Sequence, residues 1–292
     1  MSKTFRERLA EPGVLICDGA MGTMLQREAP ALGLCPEELN LTQPAIVRKI
    51  LASYVAAGAD IITTNSFGGN RHKLGRGGLA AEVHRINRAA AQVAREVAEG
   101  KAFIAGDIGP LGAFLEPVGE LSYVEAVEIF AEQGHALAEG GVDLFIVETM
   151  YDLNEVRAAV EALRQVAALP IVCSLTFDQG GRTMMGVTPA QAARTLNDLG
   201  VDVLGTNCGS GPEETEGALR EMRLACPDAL LIAQPNAGLP IIKGGQVRYN
   251  IDPEQMAVYA RRFVDEYGVK IVGSCCGSTP EHTRAIAQAL RQ

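Results

Sequence analysis

Tryptophan is absent from this 292-residue chain, and aromatic residues make up only 5% of it, with six Tyr and eight Phe. That poverty argues against an aromatic cage for a quaternary ammonium ligand. An excess of basic residues is also missing: the formal net charge is -9. Nucleic acid is therefore not an expected partner, because phosphate binding needs a basic footprint. No apolar run approaches the ~20 residues of a membrane span. The start, Met1-Ser-Lys-Thr-Phe-Arg-Glu-Arg8, has no apolar core of a signal peptide. The expected setting is the cytoplasm, where thiols stay reduced. No P-loop is present, no HExxH spacing occurs among the four histidines, and the glycine-rich pieces lack the GxGxxG strand–helix context. His72, His84, His135 and His282 are expected on the surface. No linker or low-complexity segment interrupts the chain, so residues 1–292 are read as one domain.

What is present is an alternation. Short apolar runs occur at Val14–Cys17, Asp60–Thr64, Ala102–Gly106, Leu144–Glu148, Ile171–Thr176, Val203–Asn207, Leu230–Gln234 and Lys270–Ser274. Between them lie segments with helical spacing: Ala45–Ala56, Ala81–Ala98, Tyr123–Glu139, Asn154–Ala167, Pro189–Leu199, Pro212–Ala225, Pro253–Glu266 and Pro280–Leu290. Thr188, Asp252 and Thr279 each stand as an N-cap before proline, and Gln255 is placed to complete a capping box with Asp252. Strand and helix alternating in this way give a parallel sheet, and eight units in about 250–300 residues fit a (β/α)8 TIM barrel. An open doubly wound sheet is the alternative. Three stretches, Leu25–Asn40, Ser66–Ala80 and 108–121, read as long loops following strands, on the face where barrels carry their sites.

Polar residues collect at the expected carboxyl ends of the strands: Asp18 with Gly19 and Ala20, Thr64-Asn-Ser66, Asp107, Glu148, Asn207-Cys208, Gln234 with Asn236, and Cys275-Cys276. In a barrel these converge on one mouth. Of the seven cysteines, Cys17, Cys173 and Cys226 read as small buried hydrophobes. Cys208, Cys275 and Cys276 stand at two strand ends, and three converging thiolates suit a soft metal such as zinc. Adjacent residues on a regular strand point to opposite faces. Both members of the Cys275-Cys276 pair reach one ion only if the strand has already turned, and Gly277 follows them. A vicinal disulfide is disfavoured, because disulfides prefer a wider Cα separation than neighbouring residues give. On spacing alone, an inert pair and a metal site both stand. Asp18 and Glu148 read individually as loop caps or ion-pair partners. Beside a metal, they suit a cationic amino group.

Taken together, Asp18-Gly-Ala-Met-Gly-Thr23, Thr64-Asn-Ser-Phe67, Gly106-Asp-Ile-Gly-Pro110, Val147-Glu-Thr149, Gly205-Thr-Asn-Cys-Gly209, Pro235-Asn-Ala-Gly-Leu-Pro240 and Gly273-Ser-Cys-Cys-Gly-Ser-Thr-Pro-Glu-His282 make the chain resemble the homocysteine S-methyltransferase family over nearly its whole length. The resemblance is greatest to the N-terminal homocysteine-binding module of cobalamin-dependent methionine synthases. Ser274 departs from a glycine common in that motif. The resemblance implies a zinc-containing barrel with Cys208, Cys275 and Cys276 as catalytic metal ligands and L-homocysteine entering by its sulfur. It further implies that Asp18 and Glu148 face the substrate amino group, and that Gly19, Ala20 and the Ser66 region hold its carboxylate. We also expect Asn236 to offer its amide oxygen to zinc when substrate is absent. No Asp-x-His-x-x-Gly cobalamin signature occurs. Methylcobalamin is therefore expected from another domain or chain, with 5-methyltetrahydrofolate as ultimate donor and folate-binding modules as further partners. The alternatives are a free-standing enzyme using S-methylmethionine, or a homocysteine module joined to or partnered with a methylenetetrahydrofolate reductase. A zinc-storage or redox-sensing protein would use the same cysteines without turnover.

Overall fold

A computed structural model describes residues 3–29, 33–178, 180–243 and 246–291. Its strands are β1 (Leu15–Ile16), β2 (Ile61–Thr63), β3 (Phe103–Ile108), β4 (Leu144–Met150), β5 (Ile171–Leu175), β6 (Val203–Cys208), β7 (Leu231–Pro235), β8 (Pro240–Lys243), β9 (Gln246–Tyr249) and β10 (Val269–Val272). Eight of them form one parallel sheet in the order β1-β10-β7-β6-β5-β4-β3-β2. A Cys17–Ile61 bridge brings β1 back against β2, reinforced by Asp18 N–H to Ile61 O at 3.0 Å and Asp60 N–H to Ile16 O at 2.7 Å. The ring is thus a TIM-type barrel, and the open doubly wound alternative falls.

Period-2 alternation divides the core into two shells. Leu15, Ile61, Phe103, Leu144, Ile146, Val172, Val203, Ile232 and Ile271 form an inner cluster with Phe5 and Leu9 of the helix Phe5–Ala10. Phe5 meets Phe103 edge to face, with centroids 5.3 Å apart, so this helix plugs the amino-terminal end of the barrel. The outer strand positions pack against the surrounding helices, whose apolar stripes supply Ile50, Leu51, Ala94, Phe130, Leu163, Leu196, Leu219 and Phe263.

The helices start where the sequence places them. Pro189–Asp198, Pro212–Ala225, Pro253–Tyr267 and Pro280–Leu290 all open on proline, and the Thr188 and Asp252 side chains accept from Gln191 N–H and Gln255 N–H. Three expectations need correction. The stretch 25–40 is not simply a loop: the helix Gly22–Glu28 enters it, and a 3-10 turn Pro36–Glu38 leads into a helical turn Leu39–Thr42. The loop 66–80 contains the helix Arg71–Gly75. These pieces are too short to carry a periodic signature. His282 is not at the surface but buried. Its ring bridges Thr279 N–H and Ile251 O, at 3.1 Å each, and so ties the start of the last helix to the preceding segment. The antiparallel β8–β9 hairpin lies outside the one-strand-per-unit pattern.

A repeated tripeptide closes the lower rim. Gly58-Ala-Asp60, Gly141-Val-Asp143 and Gly200-Val-Asp202 each end a helix on a glycine of positive φ and begin a strand. The three carboxylates accept an N–H from the first two residues of the adjacent strand, at Ile16 (2.9 Å), Ile104 (2.8 Å) and Ile171 (2.9 Å). Arg291, Arg95 and Arg6 pair with them in turn. Exposed pairs of this kind contribute little. The bond from a carboxylate to a strand-end N–H contributes more, about 1.5–3 kcal/mol. Asp202→Ala should therefore lower the unfolding free energy by about that amount in urea titrations while leaving metal content unchanged. A change under about 0.5 kcal/mol would mean that the carboxylate does not hold the rim.

Candidate metal centre and substrate pocket

The same alternation that fills the barrel with apolar side chains turns polar at its upper end. Continuing inward positions by two gives Thr63 on β2, Asp107 on β3, Glu148 on β4 and Gln234 on β7, and all four line a cavity of about 200 Å³. Asp18, Gly19, Ala20, Ser66, Cys208, Ser274, Cys275 and Cys276 are also in its wall, as are Glu37 and Thr149.

Cys208, Cys275 and Cys276 offer sulfurs that all lie within 4.8 Å of one another. A tetrahedral zinc with bonds of about 2.3 Å sets its sulfurs about 3.8 Å apart, so the triangle has the scale of such a site. Its geometry is fixed by backbone. β10 ends at Val272, so the two adjacent cysteines lie beyond regular strand and their side chains are free to share a side. Cys275 N–H donates to Pro235 O at 2.7 Å, and Cys276 O accepts from Ala237 N–H at 2.9 Å. Gly277 then turns with φ +82°, and a Cβ there would stand 2.1 Å from the Tyr249 ring, so glycine is required on both counts. Across the mouth, Cys208 itself is left-handed at φ 59°, as is Thr149 at φ 61°. Each such non-glycine residue costs on the order of 1–3 kcal/mol. The neighbourhood must therefore hold them, and Asn236 N–H, which donates to Cys208 O at 3.2 Å, is one of the holds.

Crowding sets the electrostatics. Cys208 and Cys275 sulfurs are hydrogen-bonded at 2.7 Å. Hydrogen bonds from Cys208 and Cys275 draw the Cys276 thiol down to about 3. Cys275 is pushed well up by its bonds to Cys208 and Cys276 and by burial. A bond from Cys275 pulls Cys208 down, but its bond to Cys276 and burial leave it well above the ordinary thiol range. Three thiolates cannot coexist here without a cation. The soft donor set and its closure on one point fit zinc.

The carboxyl groups beside it are equally short of countercharge. Burial raises Asp18 to about 7. Glu148 rises to about 8 through burial, then repulsion from Asp18 and Cys276. Asp107 is pushed well up by burial, Glu148 and Asp18. Lys73, held 4.3 Å over the Phe67 ring, offsets part of this.

The expected substrate residues sit as follows. Asp18, Gly19, Ala20, Ser66 and Glu148 all line the cavity. Asp18 is also structural: its Oδ2 accepts Thr63 N–H at 2.8 Å, which locks β1 to β2. Ala20 N–H donates to Ser278 Oγ at 3.1 Å, and Ser66 Oγ donates to Asp107 O at 2.7 Å. A carboxylate seated there would exchange at least one of these bonds. Asn236 lies outside the cavity lining. Its Nδ2 donates to Gly209 O at 2.6 Å, leaving a buried Oδ1 without a partner. Asp107 and Gln234 stand at the mouth as the strand ends predict, and with Ser274 they carry a feature the sequence does not show: Asp107 Oδ1, Gln234 Oε1 and Ser274 Oγ are buried and unpartnered in the cavity wall. Strand parity, counted inward from the apolar core, agrees with the placement of Asp107 and Gln234 at the mouth. Cys17, Cys173 and Cys226 are buried, as expected.

A family model described as homocysteine S-methyltransferase matches residues 15–290. Methionine synthase of Mycobacterium leprae (strain TN) is 33% identical over 294 residues, covering 95% of this chain and 24% of that protein. Methionine synthase of Mycobacterium tuberculosis (strain ATCC 25618 / H37Rv) matches at the same identity and coverage. The chain thus spans about a quarter of the length of these relatives. Among solved structures, the metallated form of the homocysteine methyltransferase MmuM from Escherichia coli superposes with a TM-score of 0.80 at 23% identity, covering 97% of this chain and 98% of that one. This likeness bears on the fold. No helix among the described residues is long and apolar enough to cross a membrane.

The raised carboxyls make a pH prediction. In the folded protein they keep protons that the unfolded chain releases, so stability is full below the ordinary carboxylate range near about 4. It is lost as pH rises through about 7 for Asp18 and about 8 for Glu148. Urea midpoints of ligand-free, metal-free protein should fall from pH 5 to pH 8, and Glu148→Gln should flatten that fall. Identical profiles for parent and variant would show that Glu148 is not the buried acid described.

Proposed function

The chain belongs to the homocysteine S-methyltransferase family, and from that premise we propose that Cys208, Cys275 and Cys276 hold a zinc ion, that homocysteine binds there through its sulfur, and that this sulfur takes up a methyl group to give methionine. The observation that carries the reading is the convergence of three thiols from two strand ends on one point at the mouth of the barrel. When bound, zinc would take the substrate thiol as fourth ligand and hold it deprotonated at neutral pH, where a free thiol of pKa about 8.5 is mostly protonated.

The chain's own residues do the rest. Three thiolates offset the dication and keep the site electron-rich, so that a sulfur entering it stays nucleophilic. Glu148, with Asp18 beside it, would take the substrate ammonium, whose positive charge removes the repulsion that now raises both acids. Gly19 and Ala20 bring backbone close to the substrate carboxylate, with the Ser66 turn opposite. Asn236 stands outside the cavity lining, but its buried Oδ1 has no partner, and in this reading it would turn to the fourth metal position before substrate arrives, since an orphaned buried acceptor gains by finding a cation. In this reading residues 1–292 act as one homocysteine-binding barrel domain in the reducing cytoplasm. The methyl group comes from methylcobalamin held on another domain or chain, recharged from 5-methyltetrahydrofolate. The match to about a quarter of two methionine synthases supports this donor.

Purified reduced protein should contain about one zinc per chain. Cys208→Ala should lose that zinc and weaken homocysteine binding by more than about tenfold. Zinc without homocysteine affinity in the parent protein would instead favour storage or sensing. Free methylcobalamin should then support methionine formation, and S-methylmethionine should not. Turnover with S-methylmethionine alone would reverse the assignment of donor.

A further inference from the structure

One of the three sulfurs is treated differently from the others. The β4–β5 register runs from Val147–Cys173 to Met150–Leu175, three steps against two, so β4 carries an extra residue at Glu148-Thr149. The bulge turns Thr149 toward the end of β6, where Asn207 is fully buried. Asn207 Oδ1 accepts Thr149 N–H at 2.8 Å and Ser174 Oγ–H at 2.8 Å. A backbone N–H can only donate, so this bond fixes which end of the amide is oxygen. The other end, Nδ2, can also only donate. It reaches Thr149 Oγ1 at 2.8 Å and Cys208 Sγ at 3.6 Å. Thr149 Oγ1 is therefore an acceptor toward Asn207, and its own hydrogen is left over. The acceptor within reach of that hydrogen is Cys208 Sγ, at 3.7 Å.

We propose that Thr149 and Asn207 form a positioning clamp that gives two hydrogen bonds to the Cys208 sulfur, fixing its direction at a left-handed residue and making it the least electron-rich of the three metal-binding sulfurs. This rests on the reading of the cysteines as metal ligands. Hydrogen bonds to a coordinated sulfur withdraw electron density from it, and outer groups of this kind tune a metal through its ligands. Cys275 and Cys276 accept no comparable side-chain N–H or O–H among the described residues. The strained backbone at Thr149 and Cys208 thereby acquires a purpose: it brings a hydroxyl from one strand to a sulfur on the next but one.

Cobalt(II) substitution tests the clamp without recourse to activity. Tetrahedral thiolate sites give sulfur-to-cobalt charge-transfer bands, whose energy falls when sulfur becomes more electron-rich. Thr149→Val keeps the side-chain shape and removes the donor. It should retain one cobalt per chain and move the band to longer wavelength. Thr149→Ala, which also relieves crowding at positive φ, should give the same shift, and Thr149→Ser should restore the parent band. Full cobalt with an unshifted band in the Val and Ala variants would overturn the clamp, as would a Ser variant that behaves like Val. Loss of cobalt from Val and Ala but not from Ser would support it. Failure of the parent protein to bind cobalt would overturn the metal reading itself, and the clamp with it.

Discussion

Three thiols forced to one point at the end of a barrel are the constraint on which the upper half of this molecule depends. Left to themselves they titrate unevenly: hydrogen bonds from Cys208 and Cys275 draw the Cys276 thiol down, and its neighbours are pushed up. The backbone nevertheless spends left-handed residues, a bulge and a required glycine to bring them together. Such strain persists only where the surroundings over-determine it. The surroundings here are the strand ends themselves: Pro235 O and Ala237 N–H fix the cysteine pair, and Asn236 N–H fixes Cys208. β7, between the two cysteine strands, is thus the brace of the site.

The second constraint is charge. Three acids close to a triad of thiols and inside a low-dielectric barrel are costly to ionise. A dication and a substrate ammonium would relieve both groups at once. The cavity is therefore suited to a zwitterionic amino acid with a thiol, and a ligand lacking the amino group would leave the acids uncompensated. Both acids line the cavity, and in the proposed reading Glu148 takes the substrate ammonium. Asp18 divides its carboxylate between the cavity and the Thr63 N–H of the adjoining strand, so changing it would disturb the closure of the barrel as well.

Much of this is visible in the sequence for physical reasons. Parallel strands buried on both faces read as short β-branched runs, and proline after Thr188, Asp252 and Thr279 marks helix starts that side-chain caps then stabilise. The cysteines stand out because thiols at strand ends are chemically distinctive. Other features are silent in one dimension. Asp107 and Gln234 are legible as strand-end residues, but their unpartnered oxygens are not, because those depend on the neighbours that the closed ring supplies. Asp18 looks like a ligand-facing acid, yet its bond to Thr63 depends on the ring closing. His282 reads as an exposed helical residue and is instead a buried capping group. The left-handed Thr149 could not be expected, because β-branched residues avoid that region.

The central claim is that the three sulfurs surround one zinc and leave a position for a fourth. Zinc X-ray absorption of the reduced protein, with and without L-homocysteine, tests it most directly. The account predicts three sulfurs at about 2.3 Å plus one oxygen or nitrogen near about 2.1 Å without substrate, and four sulfurs with it. A coordination shell that holds fewer than three sulfurs, or one that does not gain sulfur when homocysteine is added, would contradict it.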